Sequence, residues 1–277
     1  MAAVSVIVPA YQPGPYLRPA LDSLVAQTFT DWDALVVDDG SAEDLSWVAD
    51  LDPRISFVRQ ANQGVSAARN LAIGRTGAPL VAFLDADDVW LPNKLAAEVA
   101  AMNARPALAL VSTRFQIIDD LGVVTSDGFE GYHDSYEKLL QGCGICLSTV
   151  VVRRSVLDEV GLFDLTLTSA QDWDLWLRIA HKHPLSRLDE VFAHYRVHPG
   201  GMTRNWRRSR AEARTVLQRH DHPLVATGLA RADTLASHQA IDAARAARGQ
   251  GRWVDAAKDL IFVARLRPRL LVDALRP

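Results

Sequence analysis

The chain has 277 residues, enough for one large α/β domain or for a domain with a smaller appendage. Hydrophobic residues make up 49% and charged residues 23%, as in globular proteins, and no apolar run approaches the ~18 residues that suggest a membrane span. The net charge of −3 hides an asymmetry: residues 1–200 carry 15 Lys+Arg against 26 Asp+Glu, and residues 201–277 carry 15 against 7. This argues against a nucleic-acid stripe on the larger part and gives the tail a surface of its own.

The opening residues lack a basic n-region and a cleavage site, so no signal peptide is expected. Val4 to Val8 is a β-branched run of buried-strand type, ending at Pro9. Tyr16 to Ala26 has helical spacing, Leu35 to Val37 is the core of a second strand, and Asp38-Asp39-Gly40-Ser41 is a turn that opens onto a helix over Glu43 to Ala49. Ile55 to Val58 predicts a third strand, Val65 to Ile73 a helix, and Leu80 to Leu84 a fourth strand, with Asp85 to Asp88 directly after it. Pro92 suits the first turn of a helix that runs to about Asn103. This alternation predicts a parallel sheet covered on both faces.

Farther on, Phe115 to Val124 reads as a hairpin, Gly128 to Asp134 as a loop, Leu147 to Val152 as a strand, Asp172 to Lys182 as a helix, and Val191 to Val197 as a strand near a sheet edge. From Asn205 the composition turns to Ala, Arg and Leu at helical period. Gly249 and Gly251 break it before a helix over Val254 to Leu266, and no clean repeat emerges. The domain reading is a catalytic part, 1–203, and a basic helical extension, 204–277.

Ligands of open α/β sheets sit beyond the carboxyl ends of the strands. Two acidic groups fall there: Asp38 with Asp39, and Asp85, Asp87 and Asp88. Asp85-Ala86-Asp87 is a DxD unit whose hard oxygens suit Mg²⁺ or Mn²⁺, although a DxD by itself is more often a solvated turn. Gln63 to Asn70 places a glycine at a helix entrance and Arg69 one turn in, suited to a diphosphate or base, or equally to a cap and a surface arginine. Asp172 and Asp174 at a helix start are caps or, functionally, a general base. His198 could touch a diphosphate or a metal. Cys143 and Cys146 form a CxxC without two further ligands at matching spacing, and read as small residues in a reducing compartment.

The pieces occur together in order. Val4-Ser5-Val6-Ile7-Val8-Pro9-Ala10-Tyr11, Gln27-Thr28-Phe29, Val36-Val37-Asp38-Asp39-Gly40-Ser41, Gly64 to Asn70, Phe83 to Pro92, Gly161-Leu162-Phe163-Asp164, Gln171 to Arg178 and Tyr195-Arg196-Val197-His198 closely resemble family 2 glycosyltransferases over about residues 3–203. The resemblance implies a GT-A fold (a Rossmann-like, mostly parallel sheet flanked by helices), an inverting mechanism, a nucleotide-sugar donor with UDP favoured, and Mn²⁺ or Mg²⁺. By position it places Pro9 and Tyr11 at the nucleoside, Asp39 at the base with Asp38 beside it, and Arg69 at the nucleotide. Asp87 is the main metal ligand, with Asp85 and Asp88 near sugar and ribose, Ala86 between them, and His198 toward metal or diphosphate. Asp172 is the base, with Gln171, Trp173, Asp174 and Arg196 at the acceptor or elsewhere in the site.

One departure is Gln171, where the family usually has Glu; losing a neighbouring carboxylate makes Asp172 easier to ionise. The acceptor, a carbohydrate or lipid-linked hydroxyl, is expected against Phe129 to Tyr136, Gly144 to Thr149 and the Trp173/Trp176 region. The rival readings are a nucleotide-sugar-binding protein without turnover and a haloacid-dehalogenase-like phosphatase, for which the DxDxV motif follows the wrong strand. The basic tail, including Arg204, Arg207, Arg208, Arg210 and Arg214, is either a solvated helix packed by its apolar stripe or a contact for an anionic membrane surface. The expected location is the cytoplasm, including the inner face of the membrane; no nucleic acid partner is expected.

Overall fold

The computed structural model describes residues 2–128, 131, 134–198, 200, 206–250 and 252–267. Phe129, Pro199, Arg204 and the 203/204 boundary lie outside the described residues. The chain forms two compact units, residues 1–139 with 143–201, and residues 140–142 with 202–277.

In the first unit the β-branched opening becomes β1 (Val4–Ala10), buried along its whole length. It pairs in parallel with β2 (Trp32–Asp38) and β4 (Leu80–Phe83), and β3 (Ile55–Arg59) extends the parallel set beyond β2. Val4, Val6, Val8 and Ala10 join Leu17, Leu21 and Leu24 of α1 (Leu17–Val25) in one core, and α2 (Val65–Arg75) packs against β1. Full burial of each such leucine or valine contributes roughly 1.5–3 kcal/mol. The register sets Ala10 opposite Asp38 and Ile7 opposite Phe83, so the chain leaves β1, β2 and β4 at one edge. The segments after Pro9, after Val37 and after Leu84 are thereby neighbours, as the strand-end rule requires.

The rest of the sheet is built differently. Strands β5 (Val89–Trp90), β6 (Leu110–Ile118), β7 (Val124–Asp127), β8 (Val151–Arg153) and β9 (Leu185–Arg196) complete the order β3-β2-β1-β4-β8-β6-β9-β5, with β7 paired to β6. The sheet is therefore mixed: β8 runs antiparallel to β4 and β6, β7 to β6, and β5 to β9, while β6 and β9 are parallel. The α/β architecture matches the expected GT-A type; parallel pairing dominates only its first half. Register shifts between Thr113 and Phe115 bend the β6/β9 ladder, and β9 reaches past it to β5, placing His194 opposite Val89. A bulged strand twists and re-aims its end, here carrying Arg196 back to the acidic turn.

Two elements differ from the sequence reading. Residues 43–49 do not form a helix; Glu43 is drawn off to accept from the Gly14 amide, Asp44 accepts from the Ser46 amide, and only a 3-10 turn over Ser46–Asp50 follows. Residues 147–149 form a 3-10 turn, and the strand begins only at Val151, because Thr149 hydrogen-bonds back to the Cys146 carbonyl and Ser148 turns toward the acidic loop. The helix after Asp88, α3 (Lys94–Ala104), opens on a fully buried Lys94–Glu98 ion pair at 2.6 Å, with the ammonium 4.1 Å from the centre of the Trp90 ring. Burial pushes Glu98 up to about 7 and Lys94 down, each against the pull of its partner. Shorter helices α4 (Tyr136–Leu139) and α5 (Arg154–Val160) precede α6 (Gln171–Ala180).

The second unit contains α7 (Trp206–Leu217), α8 (Val225–Gly249) and α9 (Trp253–Leu266). Small residues let α8 and α9 approach closely: Ala236, Ala240, Ile241 and Val263 form one cluster, Ala244, Ala247 and Ala256 another. Arg210 and Arg214 meet Asp233, and Arg207 pairs with Asp259, so part of the basic charge is paired within this unit. Among the described residues no helix is long and apolar enough to cross a membrane.

Candidate active site

The turn after β2 locks onto the loop that leads into α2. Asp38 is wholly buried; it accepts from the Ser41 amide at 2.8 Å and lies 3.4 Å from Arg59 Nε. Gly40 has φ +83°, and a Cβ there would lie 2.9 Å from the Asn62 amide, so the turn needs glycine on both counts. Asp39, 2% exposed, accepts from Gln60 Nε2 and the Gln63 amide through Oδ1 and from the Gly64 amide through Oδ2. Its carboxylate thus clasps residues 60–64, just ahead of α2. Pro9 is buried within β1, whereas Tyr11 stands 55% exposed at the strand end.

Helix α2 delivers Arg69, which is 1% exposed. Nη2 donates to Asp85 Oδ1 at 2.6 Å and the guanidinium lies 5.4 Å from the Phe163 ring centre, while Nε and Nη1 meet no partner in the structure. Asn70 exchanges two hydrogen bonds with the Phe163 backbone, and Ser66 donates to the Leu167 carbonyl. The helix is therefore zipped to the segment that leads into α6 and Asp172. The sequence reading quoted Asn70 and Phe163 within its motifs but gave them no role; reciprocal side chain-to-backbone bonds over 93 residues leave no local pattern.

Asp85, Asp87 and Asp88 follow β4 as expected, yet they do different things. Asp88 is fully buried: Oδ2 accepts from Ser148 Oγ at 2.5 Å and Oδ1 from the Arg196 amide at 2.9 Å. Both of its carboxylate oxygens are thereby engaged by protein. Asp87 Oδ2 lies 3.0 Å from His198 Nε2, and the His198 ring packs tilted against Tyr16 with centroids 4.6 Å apart. Burial, then the neighbouring Asp85 charge, raises Asp87; burial, then Asp87 and Asp85, raises Asp88 well above the carboxylate range. Arg196 binds the carbonyls of Asp87 and Asp119 and faces the Tyr16 ring, which makes it a clamp on the acidic turn.

At the start of α6, Asp172 is half-buried and accepts from the Trp173 amide. Burial pushes it up to about 6, against that hydrogen bond and the pull of Arg69, with Asp85 adding to the rise. Gln171 is 4% exposed and its Oε1 has no partner. The two residues after Asp172 are held by protein: Trp173 is 7% exposed and donates to the Leu139 carbonyl, and Asp174 is held by Arg178, which also binds the carbonyls of Val160, Gly161 and Leu162. Cys143 and Cys146 are free thiols raised well above their ordinary value, chiefly by burial and then by carboxylates that include Asp172 for both, so neither is an activated nucleophile.

Among the described residues no three His, Cys, Asp or Glu side chains surround a common point. Asp85 is turned to Arg69 and Asp87 to His198, so the set read as metal ligands is divided between an Arg69–Asp85 ion pair and an Asp87–His198 contact. Its donor chemistry, two carboxylates and one imidazole, nonetheless fits Mn²⁺ or Mg²⁺, and crowding of the acidic turn favours a cation there.

This arrangement, a mixed α/β sheet with a carboxylate-lined strand edge, is of GT-A type. The structure superposes on Staphylococcus aureus TarS (residues 1–349) in complex with UDP-GlcNAc with TM-score 0.70 at 20% identity, covering 98% of this chain and 83% of that one. The Pyrobaculum calidifontis mannosyltransferase PcManGT in complex with GDP-Man and Mn²⁺ gives 0.63 at 20% identity, covering 99% and 78%. The family model "Glycosyl transferase family 2" matches residues 5–161, more than half of the chain, and the chain belongs to that family. Escherichia coli WfgD, a UDP-Glc:alpha-D-GlcNAc-diphosphoundecaprenol beta-1,3-glucosyltransferase, is 28% identical over 207 residues, 73% of this chain and 80% of WfgD. An uncharacterised glycosyltransferase of Rickettsia felis is 29% identical over 205 residues, 72% of this chain but 34% of that protein, so the chain spans about a third of this relative's length.

Proposed function

We propose that this chain is an inverting glycosyltransferase that moves a sugar from a nucleoside-diphosphate donor, UDP favoured, to an acceptor hydroxyl. The observation that carries the reading is Arg69: a buried guanidinium with two unpartnered nitrogens, ion-paired to Asp85 and within the field of Asp172. An unpaired buried donor of this kind is costly unless an anionic ligand meets it. A diphosphate supplies the missing acceptors. Family membership and the UDP-GlcNAc and GDP-Man complexes of the two structural relatives support the donor class.

In this reading Tyr11 and the 38–41 turn border the nucleoside, Asp39 acts by fixing residues 60–64, and Arg69 neutralises diphosphate charge. Asp85, Asp87 and His198 would hold a divalent cation, which supplies Lewis-acid stabilisation of the leaving diphosphate. Asp172 takes the proton from the acceptor hydroxyl as that oxygen attacks the anomeric carbon. The carbon–oxygen bond to the diphosphate breaks on the opposite face, which inverts the configuration. Catalysis is assigned to residues 1–203, with 204–277 as a helical extension. The diphosphoundecaprenol acceptor in the WfgD name supports a lipid-linked or glycan acceptor; a role in cell-envelope synthesis at the inner face of the membrane is part of this proposal.

A thermal-shift screen of UDP-, GDP- and dTDP-sugars with Mn²⁺, followed by donor hydrolysis and transfer by wild type and Asp172→Asn, tests the reading. Stabilisation by UDP-sugars and turnover lost in the variant are expected. Tight binding without turnover by either protein would make it a binding module, and stabilisation by none of the donors would refute the reading altogether.

A further inference from the structure

The acidic turn is held by a residue that the sequence placed only within the Gly144 to Thr149 stretch, with no role toward the turn. Ser148 is wholly buried in the 3-10 turn before β8. Its Oγ donates to Asp88 Oδ2 at 2.5 Å and accepts from the Asp85 amide at 3.1 Å, gripping both ends of the Asp85–Asp88 turn. Its carbonyl accepts from Trp90 Nε1 at 2.7 Å, and Trp90 is seated in turn by the Lys94 ammonium against its ring and by Ser23, which accepts from its amide. The Asp88 amide closes the turn on the Asp85 carbonyl, the Arg196 amide fills Asp88 Oδ1, and Arg196 Nε fills the Asp87 carbonyl. With those backbone groups and the Asp88 carboxylate engaged, the carboxylates of Asp85 and Asp87 are the groups the turn presents.

We propose that Ser148 is the positioning residue of this site: by bridging Asp88 and the Asp85 amide it fixes the spacing of the Asp85 and Asp87 carboxylates that receive the cation and the donor diphosphate. The inference rests on the transferase reading for the identity of those ligands. Removing Oγ leaves Asp88 Oδ2 and the Asp85 amide unpartnered in a buried place, and the turn must rearrange to satisfy them. Groups that orient metal ligands typically change metal affinity about tenfold or more when lost.

The experiment compares the full chain as wild type, Ser148→Ala, Asp88→Asn and the double variant, with Mn²⁺ and UDP as probes. Mn²⁺ binding is read by electron paramagnetic resonance of the free ion, UDP binding by calorimetry, and donor hydrolysis by KM and kcat. The expected result is Mn²⁺ affinity weakened about tenfold and a raised donor KM, with kcat at saturation moving less. The double variant should be weaker than Asp88→Asn by clearly less than the effect of Ser148→Ala alone, because the two share the Ser148–Asp88 hydrogen bond. Ser148→Cys, which keeps much of the volume with a poor donor, should weaken Mn²⁺ in the same direction and serves if Ser148→Ala does not fold. Mn²⁺ affinity within twofold of wild type despite a lowered melting temperature, or fully additive effects, would overturn the proposal by showing packing alone. A wild type that binds neither Mn²⁺ nor UDP refutes the transferase reading and this inference with it.

Discussion

Asp172→Asn should remove activity and add stability in the same protein. Burial holds the Asp172 carboxyl at about 6 against an ordinary 3.8, and this gap corresponds to about 3 kcal/mol as an upper figure. The sign follows from linkage: the native state keeps its proton where the unfolded chain has lost it, so stability falls as pH rises from about 4 to about 6 and stays reduced above. Asparagine is neutral and retains an oxygen for the Trp173 amide. The variant should therefore melt a few degrees higher at pH 7.5, at about 2–4 °C per kcal/mol, and the gain should vanish near pH 3.5. Loss of the general base should cost about 10²–10⁴-fold in kcat/KM. In the wild type, kcat/KM should fall about tenfold per pH unit below about 6, and Arg69→Met should move that limb upward, because the Arg69 charge favours the carboxylate. Calorimetry at both pH values and a pH–rate profile decide it. An acid limb centred near 4, or a variant that melts lower at pH 7.5 than wild type, would refute the reasoning.

Lys94→Met alone should destabilise by about 3–5 kcal/mol, since it strands Glu98 in the core, whereas Lys94→Met with Glu98→Leu should recover most of that loss in denaturant titrations. Arg69→Lys should raise the donor KM about tenfold or more with little change in melting temperature, because a lysine keeps the charge near Asp85 but lacks the Nε and Nη1 donors; steady-state kinetics check it. Gly40→Ala should cost about 1–3 kcal/mol, from its φ of +83° and the 2.9 Å approach to the Asn62 amide, and should weaken UDP binding by loosening the loop before α2; calorimetry reads both.

What the sequence made legible is what short-range pattern encodes. The β-branched run at Val4 to Val8, the glycine before α2 and the acids after β4 each announce themselves locally, and the strand-end rule gathers them at one edge. The pairing of acids with partners is not local. Nothing near Asp88 in sequence distinguishes it from Asp87; the distinction comes from Ser148, 60 residues on, and from the Arg196 amide, 108 residues on. The short antiparallel strand β5 was missed for a related reason. β5 has two residues, too few for any period, and it is defined only by its pairing with β9, about 100 residues on; β8 falls within the longer strand expected over Leu147 to Val152 and begins only at Val151.

The bend of the β6/β9 ladder ties fold to site. β9 is 12 residues long and mostly half-exposed, yet its last residue, Arg196, is buried and fastened to the acidic turn, with His198 two residues on against Asp87. A straight β9 following the 110–113 register would carry its end away from β5. The irregular ladder is therefore what brings a cation and an imidazole to carboxylates from the opposite half of the sheet. The same logic explains why a buried guanidinium at position 69 is tolerated: Asp85 balances its charge, and the Asn70–Phe163 bonds hold α2 where the remaining nitrogens wait on a ligand. Both cations sit on rigid elements whose placement is fixed by contacts more than 90 residues apart in the chain, so the donor site is a property of the whole first unit and not of its motifs.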